Sequence, residues 1–195
     1  MESLYRDKDY SLYANSISYH CITYGGLNSY KGAYYGSYAL AFYFPGFSTG
    51  RGLTFPSTPQ DIVNKLNRDI PGKSYIRGHI INSFLDGSLY KENLVPLTSS
   101  ANRQHDTVEE RIKAILNRMN SMGMTANDVV LGYEVKVIVS YGNLPSGIDI
   151  SLDFFYLSDR TGELHIARHK RDAASDKLLN SLWNWELPLN IRILN

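Results

Sequence analysis

The chain has 195 residues, 43% hydrophobic and 20% charged, which suits one packed domain and excludes a mainly disordered chain. Lys and Arg total 20 against 19 Asp and Glu, so a net charge of +1 excludes a polycation that coats nucleic acid by charge alone, though not a local basic groove. The lone Cys21 excludes an internal disulfide framework and a multi-cysteine zinc site, and no apolar run approaches the ~20 residues that span a bilayer.

The opening residues are interrupted by charges and lead into no apolar stretch of the kind a cleavable signal carries. The chain is therefore expected to be soluble, either cytoplasmic or exported by a signal-independent route. Residues 1–15 are polar and read as an arm. Ten of the 15 tyrosines lie between Tyr5 and Tyr43, interleaved with Gly25, Gly26, Gly32 and Gly36. Aromatic residues favour half-buried strands and glycines mark turns, so strands are expected at 19–24 and 38–44 with a loop over 25–36. The tyrosines read as sheet-packing residues with surface hydroxyls, the alternative being stacking platforms for bases.

Residues 45–59 read as a loop. A short helix follows, with Thr58 as cap, Pro59 in its first turn, an apolar face of Ile62, Val63 and Leu66, and a stop at Pro71-Gly72. A strand is expected over 74–81, a loop over 82–92 turning at Asp86-Gly87, and a second strand over 93–98. The clearest helix is capped near Ser99 or Ser100 and runs to about Met119. Its Val108, Ile112, Ile115, Leu116 and Met119 form one stripe of a helix with ~3.6 residues per turn. Strands at 129–141, 152–157 and 163–168 follow, with turns at 143–147 and 159–162. Residues 173–185 read as a helix facing inward through Leu178, Leu179 and Leu182. Residues 187–194 alternate and read as an edge strand.

The informative stretch is 77–110. It orders a strand bearing Arg77-Gly78-His79, a loop, a strand beginning Asn93-Leu94-Val95-Pro96, and a helix opening Ala101-Asn102. Phosphodiester hydrolysis needs a group that takes a proton from water, a charge that neutralises phosphate, and a donor that holds its oxygens. A neutral imidazole suits the first role, because its ordinary pKa is near ~6.5. A hard divalent cation held by an amide oxygen suits the second, and an arginine the third.

On these residues the chain resembles the DNA/RNA non-specific endonucleases of the ββα-metal (His-Me finger) superfamily, with its nearest likeness to nuclease domains of bacterial polymorphic toxins. The likeness spans about residues 75–116, with a fainter echo at 22–29. It implies an α+β fold, a mostly antiparallel sheet carrying a ββα-metal hairpin-helix element over 73–120. One domain is expected over 1–195, with tyrosine-rich strands, loop and short helix over 16–72 and supporting strands and a C-terminal helix over 121–195. The resemblance makes His79 the general base, Asn102 the ligand of Mg2+ or Mn2+, and Arg77 a phosphate contact. Glu109 would hold water around the metal, and Asn93 would fix the hairpin. It also implies a DNA or RNA substrate, or both, and a cognate immunity (inhibitor) protein as partner.

Two departures stand out. Ile76 occupies a position where many relatives carry Asp, and the spacing from Asn102 to Glu109 is one residue short, so that Glu110 is the competing choice. Helix geometry favours Glu109, which lies about 20° from Asn102 around the axis against about 80° for Glu110. Glu109 could alternatively pair with Lys113 one turn on. His105 reads as structural, on the border of the core face. The basic run holding Arg168, Lys170 and Arg171 is either a solvated edge or a rim that binds nucleic-acid backbone. His165 and His169 make no metal pair if they lie in a strand, where they would be about 13 Å apart. Neither His20 nor Cys21 offers a nucleophile. The competing function is a non-catalytic module that binds protein or nucleic acid on the same scaffold; a zinc-structured domain is a weaker third.

Overall fold

Alternating side chains in the strand Tyr38–Tyr43 divide between two cores, and this alternation organises the molecule. Ala39, Ala41 and Tyr43 join one buried cluster, while Leu40 and Phe42 join another on the opposite sheet face. The computed structural model describes residues 19–50, 61–158, 161, 163–166 and 190–195. The strands are β1 (His20–Tyr24), β2 (Leu27–Tyr30), β3 (Ala33–Gly36), β4 (Tyr38–Tyr43), β5 (Tyr75–His79), β6 (Leu94–Thr98), β7 (Val130–Ser140), β8 (Leu144–Leu157), β9 (Leu164–Ile166) and β10 (Asn190–Leu194). The helices are α1 (Asp61–Asp69) and α2 (Ser99–Ser121).

The main sheet is antiparallel in the order β1-β4-β7-β8-β10, and β9 shares the outer edge of β8 with β10. β8 can serve both because of its length: β10 pairs with 147–151 and β9 with 155–157. β2–β3 and β5–β6 are separate antiparallel hairpins. The described fold is thus α+β and mostly antiparallel.

Helix α2 lays Val108, Ile112, Ile115, Leu116 and Met119 into the larger core, against Leu131, Tyr133 and Val135 of β7 and Ile148 and Ile150 of β8. Val95 and Leu97 of β6, with Ile80 and Ile81, enter the same core and bind the β5–β6 hairpin to it. On the other sheet face Phe42, Val130 and Phe155 pack together, Phe42 edge-on to Phe155 at 5.5 Å between ring centres. Ile62, Val63 and Leu66 of α1 cover Ala33, Tyr35 and Tyr75.

Several expectations need correction. Residues 25–36 are not a loop: β2 and β3 form a hairpin there, turning through Lys31 and Gly32, both at positive φ. The amphipathic signal was weak because four-residue strands with a mixed burial pattern carry too little alternation to read. The cap of α2 is Thr98, not Ser99 or Ser100; its hydroxyl accepts a hydrogen bond from the Ala101 amide at 3.3 Å. The turn expected at 143–147 lies earlier, at Tyr141–Asn143, and β8 begins at Leu144 rather than near 152. Asn93 closes a 3-10 turn before β6 instead of opening the strand. Gly123 follows α2 in the left-handed region, as expected of a helix end. The arm at 1–15, the Thr58 cap, the helix at 173–185 and the basic run lie outside the described residues. No helix among the described residues is long and apolar enough to cross a membrane.

Candidate active site

β6 runs straight into α2, Thr98 ending one and Ser99 beginning the other, so the first helical turn is bound to the strand pair. The β5–β6 register sets Arg77 opposite Pro96, Gly78 opposite Val95 and His79 opposite Leu94. A β-carbon built on Gly78 would lie 2.9 Å from Asn102 Oδ1, 3.0 Å from Leu97 Cδ1 and 3.1 Å from the Val95 carbonyl oxygen. The bare glycine therefore lets the helix amide rest against the strand. Asn102 meets β5 at the residue between Arg77 and His79.

The Asn102 amide is oriented. Its Nδ2 donates to Asp106 Oδ2 at 3.0 Å, one helical turn on, and its Oδ1 faces the strand at Gly78. Burial pushes the Asp106 carboxyl above its ordinary pKa, with the Glu110 charge adding to the effect.

His79 ends β5 half-buried. Burial first, and the nearby Arg77 charge second, push its pKa down to about 4. Both effects penalise the imidazolium, so the ring is neutral around pH 7. The chain after it is held from two directions. The Asn93 amide is fully buried; its Oδ1 accepts from the Ile81 amide at 2.8 Å, and its Nδ2 donates to the carbonyls of Ile81 at 2.8 Å and Ser88 at 2.7 Å. Gly87 must lack a side chain because a β-carbon there would collide with the Ile81 carbonyl. From the helix, Glu109 Oε1 accepts from the Asn82 amide at 2.8 Å.

Glu109 is 1% exposed and belongs to a buried polar chain with His105 and Tyr133. His105 Nε2 lies 2.7 Å from the Tyr133 hydroxyl, which donates to Glu109 Oε1 at 3.3 Å. The hydroxyl has one proton, so donation to Glu109 requires that His105 carry its hydrogen on Nε2 and donate to the tyrosine. Burial pushes His105 down to about 3, helped by His79, and pushes Glu109 up to about 8. His105 and Glu109 approach to 3.7 Å, an ion-pair distance, but with these shifts both are neutral near pH 7 and the contact is not an ion pair.

The expected residues sort as follows. Asn102 meets β5 at Gly78, the residue flanked in the strand by Arg77 and His79. Asn93 and Glu109 both grip the turn behind His79. Glu110 is exposed, and Lys113 pairs with it at 3.4 Å, which corrects the alternative pairing of Lys113 with Glu109. Ile76 pairs with Leu97 across the hairpin. His105 is fully interior rather than on the border of the core face. His165 sits on β9, stacked on Tyr156 at 5.4 Å. His20 reaches Asp86 at 3.0 Å and packs edge-on to Phe47. Arg168, Lys170 and Arg171 lie outside the described residues. Sequence reasoning missed Asp106, Tyr133 and Asn82. Asp106 was findable, four residues after Asn102 on a helix; Tyr133 and Asn82 come from distant strands and turns and leave no local signal.

A metal implied by the resemblance can be tested against these donors. Asn102 Oδ1 is a neutral hard oxygen, and the Asp106 carboxylate one turn on holds the other end of the same amide. Such an oxygen suits a hard divalent cation that keeps most of its waters. Among the described residues there is no group of three His, Cys, Asp or Glu side chains that could cage a metal. The donors fit loosely held Mg2+ or Mn2+ better than a closed zinc site.

Neither a protein-family model nor a curated protein matches the chain. Among solved structures, a Sda1 nuclease with bound zinc ion is similar at 14% identity, covering 74% of this chain and 72% of that one with a TM-score of 0.49. An extracellular endonuclease is similar at 15% identity, covering 82% and 75%, also with a TM-score of 0.49. NucA from Streptococcus agalactiae with no metal bound is similar at 14% identity, covering 78% and 81% with a TM-score of 0.42. These neighbours are nucleases. Their overlap with this chain is loose, and its chemistry rests on its own residues.

Proposed function

We propose that the chain is a divalent-metal-dependent endonuclease of the ββα-metal type, hydrolysing phosphodiesters of DNA, RNA or both with little sequence preference. One observation carries the reading: the Asn102 amide oxygen lies against Gly78, whose neighbours along the strand are Arg77 and a histidine held neutral. This supports a site in which a hard ligand, a cation and a proton acceptor come from one hairpin and the helix it feeds.

In this reading His79 takes the proton from the water that attacks phosphorus. Its pKa of about 4 makes it a weaker base than free imidazole, yet keeps it in the proton-accepting form. Arg77 holds non-bridging phosphate oxygens through its guanidinium fork. Asn102 holds Mg2+ or Mn2+ through Oδ1. The ion, when bound, supplies positive charge that stabilises the leaving 3′-oxygen. Asn93 and Glu109 do no chemistry; they fix the turn at 81–82 and so the end of β5 that presents His79. Recognition through backbone phosphates implies weak sequence dependence. Arg168, Lys170 and Arg171, a basic run suited to backbone phosphate, lie outside the described residues.

The test is direct. The purified chain is incubated with plasmid DNA and with total RNA, in Mg2+ and then in chelator, beside His79→Ala. Metal-dependent degradation that the variant lacks is expected. Tight binding without cleavage in any divalent metal would overturn the reading in favour of a binding module. The toxin-like resemblance adds an effector role opposed by an immunity protein. Expression in a bacterial host tests it: growth arrest relieved by His79→Ala is expected, and unimpaired growth at high expression counts against it.

A further inference from the structure

We propose that Asp106 is a positioning residue for the metal ligand, locking the Asn102 amide with its oxygen toward the Arg77-Gly78-His79 strand. The inference rests on the metal-ligand reading of Asn102 given above.

An asparagine amide has two ends of nearly equal size and opposite electrostatic character. Rotation by half a turn would exchange Oδ1 for the Nδ2 hydrogens and present donors where a cation requires an acceptor. Gly78 leaves room for the amide but offers no side chain to select between its ends. Asp106 can choose. An ionised carboxylate only accepts hydrogen bonds, so it attracts the Nδ2 hydrogens and repels Oδ1. The 3.0 Å bond from Asn102 Nδ2 to Asp106 Oδ2 has this sense. The spacing of four residues makes it a contact within one helix, so it needs no tertiary adjustment to form. Asp106 is half-buried, which shields the bond from competing water. Among the described residues no Lys, Arg or His forms an ion pair with Asp106 that would compete with the bond from Asn102.

Partners that orient a metal ligand typically change metal affinity ~10–100-fold when removed. The experiment measures Mn2+ binding by calorimetry, without nucleic acid, for the wild-type chain, Asp106→Ala, Asp106→Asn and Asn102→Ala. Melting curves accompany each sample. Alanine favours the helix, so folding should hold. Asp106→Ala is expected to bind Mn2+ ~10–100-fold more weakly than wild type. Asp106→Asn, whose oxygen can still accept from Asn102 Nδ2 but whose amide can also turn to donate to Oδ1, is expected to recover only part of that loss. Asn102→Ala should bind least. Wild-type affinity in Asp106→Ala overturns the positioning role, and so does an Asp106→Asn variant no tighter than the alanine, because a partner that can still accept from Nδ2 should orient the amide in part of the molecules. Should the wild-type chain bind no Mn2+, or Asn102→Ala bind it undiminished, the metal-ligand reading itself fails and the role of Asp106 fails with it. The two failures give different patterns.

Discussion

A histidine proposed as a base must be neutral when it is needed, and at His79 two effects favour this. Burial disfavours the imidazolium, and the Arg77 charge disfavours it further. The acid limb of kcat/KM should therefore lie near pH 4 rather than near the ordinary histidine value of 6.5. Arg77→Ala removes a like charge and should move that limb upward while lowering overall activity; a pH–rate profile on both proteins reads the two effects separately. An unmoved limb would break the link between them. His79→Ala should cost ~10²–10⁴-fold in turnover with little change in melting temperature. Near wild-type turnover in that variant would remove His79 from the chemistry.

At the scale of elements, the hairpin and helix work as a clamp whose faces touch through a glycine. Gly78→Ala should place a β-carbon 2.9 Å from Asn102 Oδ1, with Leu97 and the Val95 carbonyl also crowding it. The strand pair is anchored in the core, so the movable group is the Asn102 side chain. Mn2+ affinity should fall more steeply than stability, and calorimetry beside urea unfolding compares them. Equal affinity in this variant would mean that the amide need not rest against β5. The turn behind His79 depends on a different residue. Asn93→Ala leaves the Ile81 amide and the carbonyls of Ile81 and Ser88 without their side-chain partner inside the protein. Each of the three groups abandoned in this way costs ~1–3 kcal/mol, so a loss of at least ~3 kcal/mol in urea unfolding is expected. A loss below ~1 kcal/mol would show that water replaces the amide.

At the scale of the whole molecule, the three groups with the largest shifts among the described His and Glu residues contribute to how stability varies with pH. His79 and His105 fold with pKa values of about 4 and about 3 against an ordinary 6.5. Below pH 6.5 the unfolded chain takes up protons that the folded chain excludes, so stability falls as pH drops toward those folded values. Glu109 works in the opposite direction. Its folded pKa of about 8 exceeds the ordinary 4.5, so the folded chain keeps a proton that the unfolded chain releases, and stability falls as pH rises between the two. At the ordinary histidine value the two histidines together hold about one proton in the unfolded state, which balances the one kept by Glu109 on folding. These groups therefore place maximum stability near pH ~6.5. Glu109→Gln keeps an oxygen for the Asn82 amide and cannot lose a proton, so it should flatten the alkaline slope. Thermal melts from acid to alkaline pH check this, and an unchanged alkaline slope in the variant would show that another group carries it.

The sequence by itself determined what neighbours along the chain can determine. The stripe of α2, the strands over 38–44 and 129–141, the turn at Asp86-Gly87, and the order strand, loop, strand, helix around Arg77 and Asn102 are all set by local geometry. Even the preference for Glu109 over Glu110 on the Asn102 side of the helix follows from a fixed rotation per residue. Only the tertiary structure decided where those faces lead. It turned Glu109 into the interior, toward Asn82, His105 and Tyr133, because β7 supplies a hydroxyl from 24 residues further along the chain. It joined β2 and β3 over a stretch whose glycines suggest a loop, and extended β8 back to Leu144, because β7 and β10 offer edges on both sides. Pairing with a distant strand leaves no mark on local periodicity, and burial of a polar side chain becomes favourable only once its partners have been brought to it.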